Sequence, residues 1–103
     1  MNRILELAKR LDELKIPYKV VSLNGGPDQL KFEWCGADIV CHRYSYGGDQ
    51  GLFEIMGAEL MTKEELEQDS VVGWITMEDA VNRIKEAHER ETKTEEKGAE
   101  NAQ

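Results

Sequence analysis

Four side chains in the sequence could bind a soft metal ion. They are two cysteines and two histidines, Cys35, Cys41, His42 and His88. A structural zinc site needs three or four such ligands at the corners of a tetrahedron, and the spacing CxxxxxCH is not that of a zinc finger or ribbon. The strand alternation described below also puts Cys35 and Cys41 on opposite faces of a hairpin. We therefore expect no metal site, with Cys41 in the core and Cys35 an incidental thiol near a turn.

Cysteine catalysis would require a histidine base within hydrogen-bonding distance of the thiol. Cys35 and His42 share a predicted face, but Cys35 is expected to pair with Asp38. His42 is expected to pair with Lys31, several positions further along the ladder, which is too far for proton transfer. No serine lies in a GxSxG elbow. We expect no catalytic residue and no cofactor, and we keep an enzyme of unknown class as the third of three hypotheses.

A glycine-rich segment, residues 46–51 (YGGDQG), could approach an anion, because glycines let backbone N–H groups come close to a phosphate. Nearby side chains could add charge pairing and base stacking. The residues of this possible nucleotide-like site are Arg43, Tyr44, Tyr46, Gly47 and Gly48. The segment is not a P-loop, since GxxxxGK[ST] is absent. We favour a plain hairpin turn over a ligand loop.

The composition limits the class of protein. A chain of 103 residues has room for one domain, which we place at residues 1–90. The net charge of −8 disfavours direct binding to nucleic acid. Two cysteines make no disulfide framework, and no apolar run is long enough to cross a bilayer, so we expect a cytoplasmic protein without membrane contact. Residues 91–103 contain no apolar side chain larger than alanine and are expected to be a disordered acidic tail.

Helices are predicted at both ends of the domain. Asn2 can cap a first helix whose apolar residues recur at the helical period, and Pro17 should end it just before that residue. The apolar positions are Ile4, Leu7, Ala8, Leu11 and Leu14. Thr62 and Glu65 form a capping box for a short acidic helix, and Thr76 caps the last helix. Residues 70–75 are ambiguous between a strand and a connector.

Four strands are predicted between the first helix and the acidic helix. They include Tyr18–Leu23, Gln29–Cys35, a strand that begins at Asp38, and Leu52–Met56. A two-residue turn at Gly36 and Ala37 would pair Cys35 with Asp38 and Phe32 with Cys41. One face then carries the core residues Leu30, Phe32, Trp34, Ile39 and Cys41. The predicted fold is an α+β two-layer sandwich of order α-β-β-β-β-α-α, a four-stranded antiparallel meander with the N-terminal and C-terminal helices on one face.

The other sheet face is predicted to be open and to form an interface. It should present Val40, His42, Tyr44, Leu52, Glu54 and Met56, a mixture with few charges. A homodimer could cover this face, or a host protein could dock on it. A second candidate surface is the acidic helix, with Glu64, Glu65 and Glu67, which could complement a basic partner.

Three stretches of the sequence resemble small proteins encoded by phages and prophages of Gram-positive bacteria. These stretches are LAKRLDELKIPYKV, YGGDQGLFEIMG and DSVVGWITMEDAVNRIKEA. The resemblance includes an ending of the form LEIMG…D/S-V-x-G-Y/W-L/I-T-x-E-x-V-x-x-R-I. It covers Leu52, Glu54, Ile55, Met56, Gly57, Ser70, Val71, Gly73, Trp74, Ile75, Thr76, Glu78, Val81, Arg83 and Ile84. It implies a phage context and carries over no catalytic residue.

The leading hypothesis is a non-enzymatic, phage-associated accessory protein that binds a host protein, as an inhibitor of antiviral defence or of host machinery. The alternative is an oligomeric protein that sequesters a nucleotide-like ligand at Arg43, Tyr44 and the Gly47–Gly48 turn.

Overall fold

The computed structural model describes residues 2–101, and the side chains of residues 2–93. The elements follow in the order α1 (Arg3–Glu13), β1 (Lys19–Ser22), β2 (Pro27–Phe32), β3 (Ala37–Val40), β4 (Phe53–Met56), α2 (Lys63–Gln68), β5 (Val71–Ile75) and α3 (Met77–Asn101). Short 3-10 turns at Gly48–Gln50 and Ala58–Leu60 flank β4. The single domain over 1–90 and the disordered tail over 91–103 stay predictions. The backbone of α3 runs on to Asn101, residues 102–103 lie outside the described residues, and so do the side chains from residue 94 onward.

The five strands form one antiparallel sheet in the order β1-β2-β3-β4-β5. The α+β class is confirmed, whereas the predicted four-stranded sheet and the order α-β-β-β-β-α-α are wrong. The additional strand is β5, which lies between α2 and α3 in the chain. Its β-branched residues suit a strand, and Val71 and Val72 pair with Met56 and Ile55 of β4.

The core lies between α1, α3 and one face of the sheet. Its largest fully buried side chains are Ile4, Leu7, Leu11, Leu30, Phe32, Ile39, Phe53, Ile55 and Ile84. The helical residues in this set recur every three or four positions, and the strand residues alternate, so each element buries one face. Helix α2 contributes no buried residue.

Helix α1 begins and ends with hydrogen bonds from its flanking residues. The Asn2 side chain accepts from the Leu5 N–H at 3.0 Å. At the other end the Ile16 N–H donates to Leu11 O and the Lys15 N–H to Asp12 O, with Lys15 at φ 59°. This is a Schellman motif, which ends the helix at Glu13, earlier than Pro17 alone would require.

The β2–β3 hairpin has a longer turn than predicted. Phe32 pairs with Ala37 and not with Cys41, so residues 33–36 form a four-residue connection. The N–H groups of Cys35 and Gly36 both donate to Phe32 O, at 3.2 and 2.8 Å. The predicted register is therefore wrong by four positions. Because four is an even number, Leu30, Phe32 and Ile39 still face the core.

The expected extension of the third strand to Tyr44 is also wrong, because β3 ends at Val40. Ser45 closes a turn there: its Oγ accepts from the His42 N–H at 3.0 Å and donates to His42 O at 2.9 Å. His42 and Tyr44 consequently lie in a loop between β3 and β4 and not on the sheet.

Candidate functional site

The sheet face opposite the core is more polar than predicted. This face carries two rows of cross-strand neighbours. The first row is Val21, Gln29, Val40 and Glu54. The second row is Lys19, Lys31, Asp38, Met56 and Val71. Charged side chains occur in both rows, so the expectation of few charges is wrong. Val40, expected at the surface, is 3% exposed. A homodimer through this face stays a prediction.

The three glutamates of α2 have different environments. Glu64 and Glu67 are exposed. Glu65 completes the predicted capping box with Thr62, and its carboxylate also accepts two hydrogen bonds from Arg83 of α3, at 2.7 and 2.9 Å. The Arg83 bonds hold the pKa of Glu65 at about 2. Glu65 therefore joins α2 to α3.

Arg83 is the centre of this polar cluster. It also donates to Asp79 Oδ1 and to the carbonyl of Leu60, each at 3.0 Å. The carboxylates of Glu65 and Asp79 raise the pKa of Arg83, so the guanidinium stays charged. The acidic helix α2 thus has a counter-charge in α3, which the sequence of α2 alone does not reveal.

The four soft side chains are not brought together. Among the residues that the structure describes, no group of three potential metal ligands occurs. His88 packs edge-on against Trp34, with ring centroids 5.0 Å apart. His42 uses Nδ1 to accept from the Tyr44 N–H at 3.1 Å. Burial raises the pKa of the Cys35 and Cys41 thiols, which keeps them in the less nucleophilic protonated form.

The glycine-rich loop uses its backbone internally. The N–H groups of Gly48, Gln50 and Gly51 donate to Ser45 O, Gly47 O and Gly48 O, each at 3.0 Å. Gly48 packs so closely against the carbonyl of His42 that a Cβ would overlap it. These N–H groups are thus not available to a phosphate, although Gly47 and Gly48 are where the sequence places the turn.

Trp74, in β5, is the site residue that sequence reasoning missed. Its φ is 61°, the left-handed region that bulky side chains rarely adopt, and its side chain is 58% exposed. The ladder is irregular here, between the pairs Phe53–Ile75 and Ile55–Val72. The Trp74 N–H instead donates to Tyr46 O of the loop, at 3.3 Å. The adjacent Gly73 was the available signal, since a glycine inside a strand pattern indicates a bulge or a close backbone approach.

Two glycines allow the loop to lie on β5. A Cβ at Gly73 would overlap the Cβ of Tyr46. A Cβ at Gly47 would lie 3.1 Å from Trp74 Cα and 3.3 Å from its ring atom Cε3, and Gly47 has φ 85°. The close contact between loop and strand fixes the backbone positions of Tyr46 and Trp74.

Three aromatic side chains project from this region. Tyr44, Tyr46 and Trp74 are 73%, 57% and 58% exposed, and we call them the aromatic patch. The Arg43 guanidinium lies 5.7 Å from the centroid of the Tyr44 ring. A cavity of about 220 Å³ lies beside the patch, lined by Ser45, Tyr46, Gly47, Asp49, Gln50 and Trp74. The arrangement offers ring surface and one carboxylate to a ligand.

No protein-family profile, curated protein or solved structure matches this chain. Within the described residues, no helix combines the length and the apolar character that a membrane span needs.

Proposed function

We propose that the protein has no catalytic role and acts by binding another protein through the aromatic patch. The observation that carries this proposal is Trp74, an exposed tryptophan held at φ 61°. The left-handed conformation costs a non-glycine residue about 1–2 kcal/mol. Such strain clusters at functional sites, where the surrounding structure maintains it. A contact between the Trp74 ring and a partner protein would account for an exposed ring in a backbone conformation that costs free energy.

The chemistry of the patch suits a protein partner. Tyrosine and tryptophan supply large contact areas with a polar atom at one end, and they are enriched among the residues that dominate interface energies. Tyr46 and Trp74 are held by the loop–strand contact, so little conformational freedom of the backbone is lost on binding.

The same loop argues against the sequestering of a nucleotide-like ligand. The N–H groups of Gly48 and Gly51 are engaged within the loop. Arg43 lies beside the ring of Tyr44, and the residues that line the cavity include Asp49 but no lysine or arginine. A phosphate there would meet a carboxylate and no basic side chain.

The partner that we propose is a cytoplasmic protein of a bacterial host, in antiviral defence or in replication and transcription. This part rests on the resemblance to small proteins of phages and prophages. The net charge of −8 repels nucleic acid but attracts basic proteins that bind nucleic acid.

Quantitative affinity capture from a Gram-positive lysate tests this function. Three baits are compared: the wild-type protein, Trp74→Ala, and Leu5→Ala as a control that removes an exposed apolar side chain from α1. We expect a partner that binds the wild type and the control and is depleted on Trp74→Ala. Equal capture by all three baits would contradict a role for the patch.

Native mass spectrometry of the gently purified protein tests the competing function. We expect the mass of the bare chain or of its oligomer. An added mass of a few hundred daltons that disappears in Arg43→Ala or Tyr46→Ala would instead support a captured small molecule.

A further inference from the structure

The cavity between Tyr46 and Trp74 has the composition of a site for an organic cation. Its lining combines two aromatic rings, the carboxylate of Asp49 and the amide of Gln50. At about 220 Å³ it is smaller than the pockets that hold drug-sized ligands, and the size suits one side chain.

The two rings are available to a ligand. Tyr46 and Trp74 both line the cavity, yet among the described side chains neither ring contacts another aromatic ring. More than half of each side chain is exposed. The face of an aromatic ring carries negative electrostatic potential, and tryptophan attracts cations most strongly.

The charge of the cavity favours a cation. Asp49 is the one ionisable carboxylate in the lining, and the ion pairs of the described residues involve other acidic side chains. Its charge is therefore not neutralised by the protein itself. The net charge of −8 adds a long-range attraction for basic ligands.

From this geometry we propose that the cavity receives an arginine side chain of the partner protein. A guanidinium is planar, stacks on aromatic rings and forms paired hydrogen bonds to a carboxylate, so it matches this set better than a lysine ammonium does. The ring of Trp74 provides the stacking surface and Asp49 the counter-charge. The inference rests on the proposed function and specifies what the aromatic patch recognises.

An NMR titration tests the site without the natural partner. The probe is N-acetyl-arginine methylamide, and the neutral control is N-acetyl-citrulline methylamide, which has nearly the same shape. We expect saturable shifts of the Trp74 indole N–H signal with the arginine probe and none with the citrulline probe. The indole N–H of Trp34 donates to Pro17 O at 2.8 Å, and Trp34 does not line the cavity. Its signal serves as an internal reference.

Two variants locate the interaction. Asp49→Asn should weaken binding of the arginine probe about two- to five-fold, as expected for one partly exposed charge contact, while Glu67→Gln should leave it unchanged. Trp74→Leu, which keeps an apolar side chain but no ring, should abolish saturation. Circular dichroism confirms that each variant is folded.

Several results would overturn the proposal. They are equal shifts with the arginine and citrulline probes, no shift up to tens of millimolar, and tighter binding of the corresponding lysine probe. The proposed function can be judged separately. If a captured partner requires Trp74 but the arginine probe does not bind, the arginine site is wrong and the protein-binding function stands. If the probe binds but no captured partner depends on Trp74, the cavity binds arginine and the proposed protein-binding function is wrong.

Discussion

Arg83 of α3 binds the carboxylate of Glu65 in α2 through two terminal nitrogens, at 2.7 and 2.9 Å. The two side chains are only 18% and 24% exposed. The pair joins the short acidic helix, which buries nothing itself, to the helix that closes the core. Glu65 is therefore unsuitable for a charge-reversal test of partner binding, whereas Glu64 and Glu67 remain suitable.

Loss of Arg83 should destabilise the fold. We expect Arg83→Met to lower the free energy of unfolding by about 1.5–3 kcal/mol, since hydrogen bonds to charged groups contribute this much and their acceptors would be left partly buried. Urea denaturation followed by circular dichroism measures the change. The matched control is Arg10→Met, which removes a similar double contact to Glu78 at an exposed site and should have a much smaller effect. Equal losses would contradict this distinction.

The low pKa of Glu65 predicts a pH dependence of stability. Arg83 holds it at about 2 in the folded protein, against an ordinary value of 4.5. A carboxyl group with a depressed folded-state pKa contributes stability that is fully present above its unfolded pKa and is lost as the pH falls through the folded value. The free energy of unfolding should therefore fall more steeply between pH 4.5 and pH 2 for the wild type than for Glu65→Gln. Glutamine also fits a capping box, so the helix start is preserved. Parallel curves for the two proteins would contradict the assignment.

The contact between Gly73 and Tyr46 predicts a glycine requirement. We expect Gly73→Ala to destabilise the fold by about 1–3 kcal/mol, because the added methyl group overlaps the Tyr46 side chain. The control is Gly26→Ala, where a Cβ meets nothing within 4 Å and φ is not in the left-handed region. That change should be neutral or slightly stabilising. Thermal unfolding of both variants decides the point; a neutral Gly73→Ala would mean that the loop does not lie on β5.

The strain at Trp74 can be measured by comparing two truncations. Trp74→Gly and Trp74→Ala both remove the ring, but only glycine adopts φ 61° without steric cost. We expect the glycine variant to be more stable than the alanine variant by about 1 kcal/mol, and both to lose partner binding. At an unstrained position the order is reversed, so an alanine variant that is the more stable one would refute the strain.

The sequence predicted most of the core, and it named Tyr44 and Tyr46 but not Trp74 as candidate site residues. Ile4, Leu7 and Leu11 show the helical period, and the strand alternation assigns Leu30 and Phe32 to the buried face, as the structure has them. That assignment survived a wrong register only because the error was even. The length of the turn between β2 and β3 depends on the backbone conformation of Gly36, which has φ 75°. A glycine permits this conformation but does not require it, so the sequence does not determine the turn length.

The contacts that the sequence did not predict join segments that are distant in the chain. Trp74 of β5 donates to Tyr46 of the loop between β3 and β4, and Glu65 of α2 accepts from Arg83 of α3. No local pattern reports either pair, so Trp74 was absent from the candidate site and Glu65 was assigned to a docking surface. A strand pattern interrupted by Gly73 was the clearest local indication that something approaches β5.

The position of α3 in the chain has a consequence for biosynthesis. The strands pair with their sequence neighbours, so the sheet can form as the chain is made. The residues of α3 that cover it, Ala80, Val81, Ile84 and Ala87, are translated after all five strands. Until they leave the ribosome, the apolar side of the sheet lacks the part of its cover that α3 supplies. A nascent chain with a formed sheet and no α3 exposes more apolar surface than the finished fold, and exposed surface of this kind favours aggregation until α3 packs.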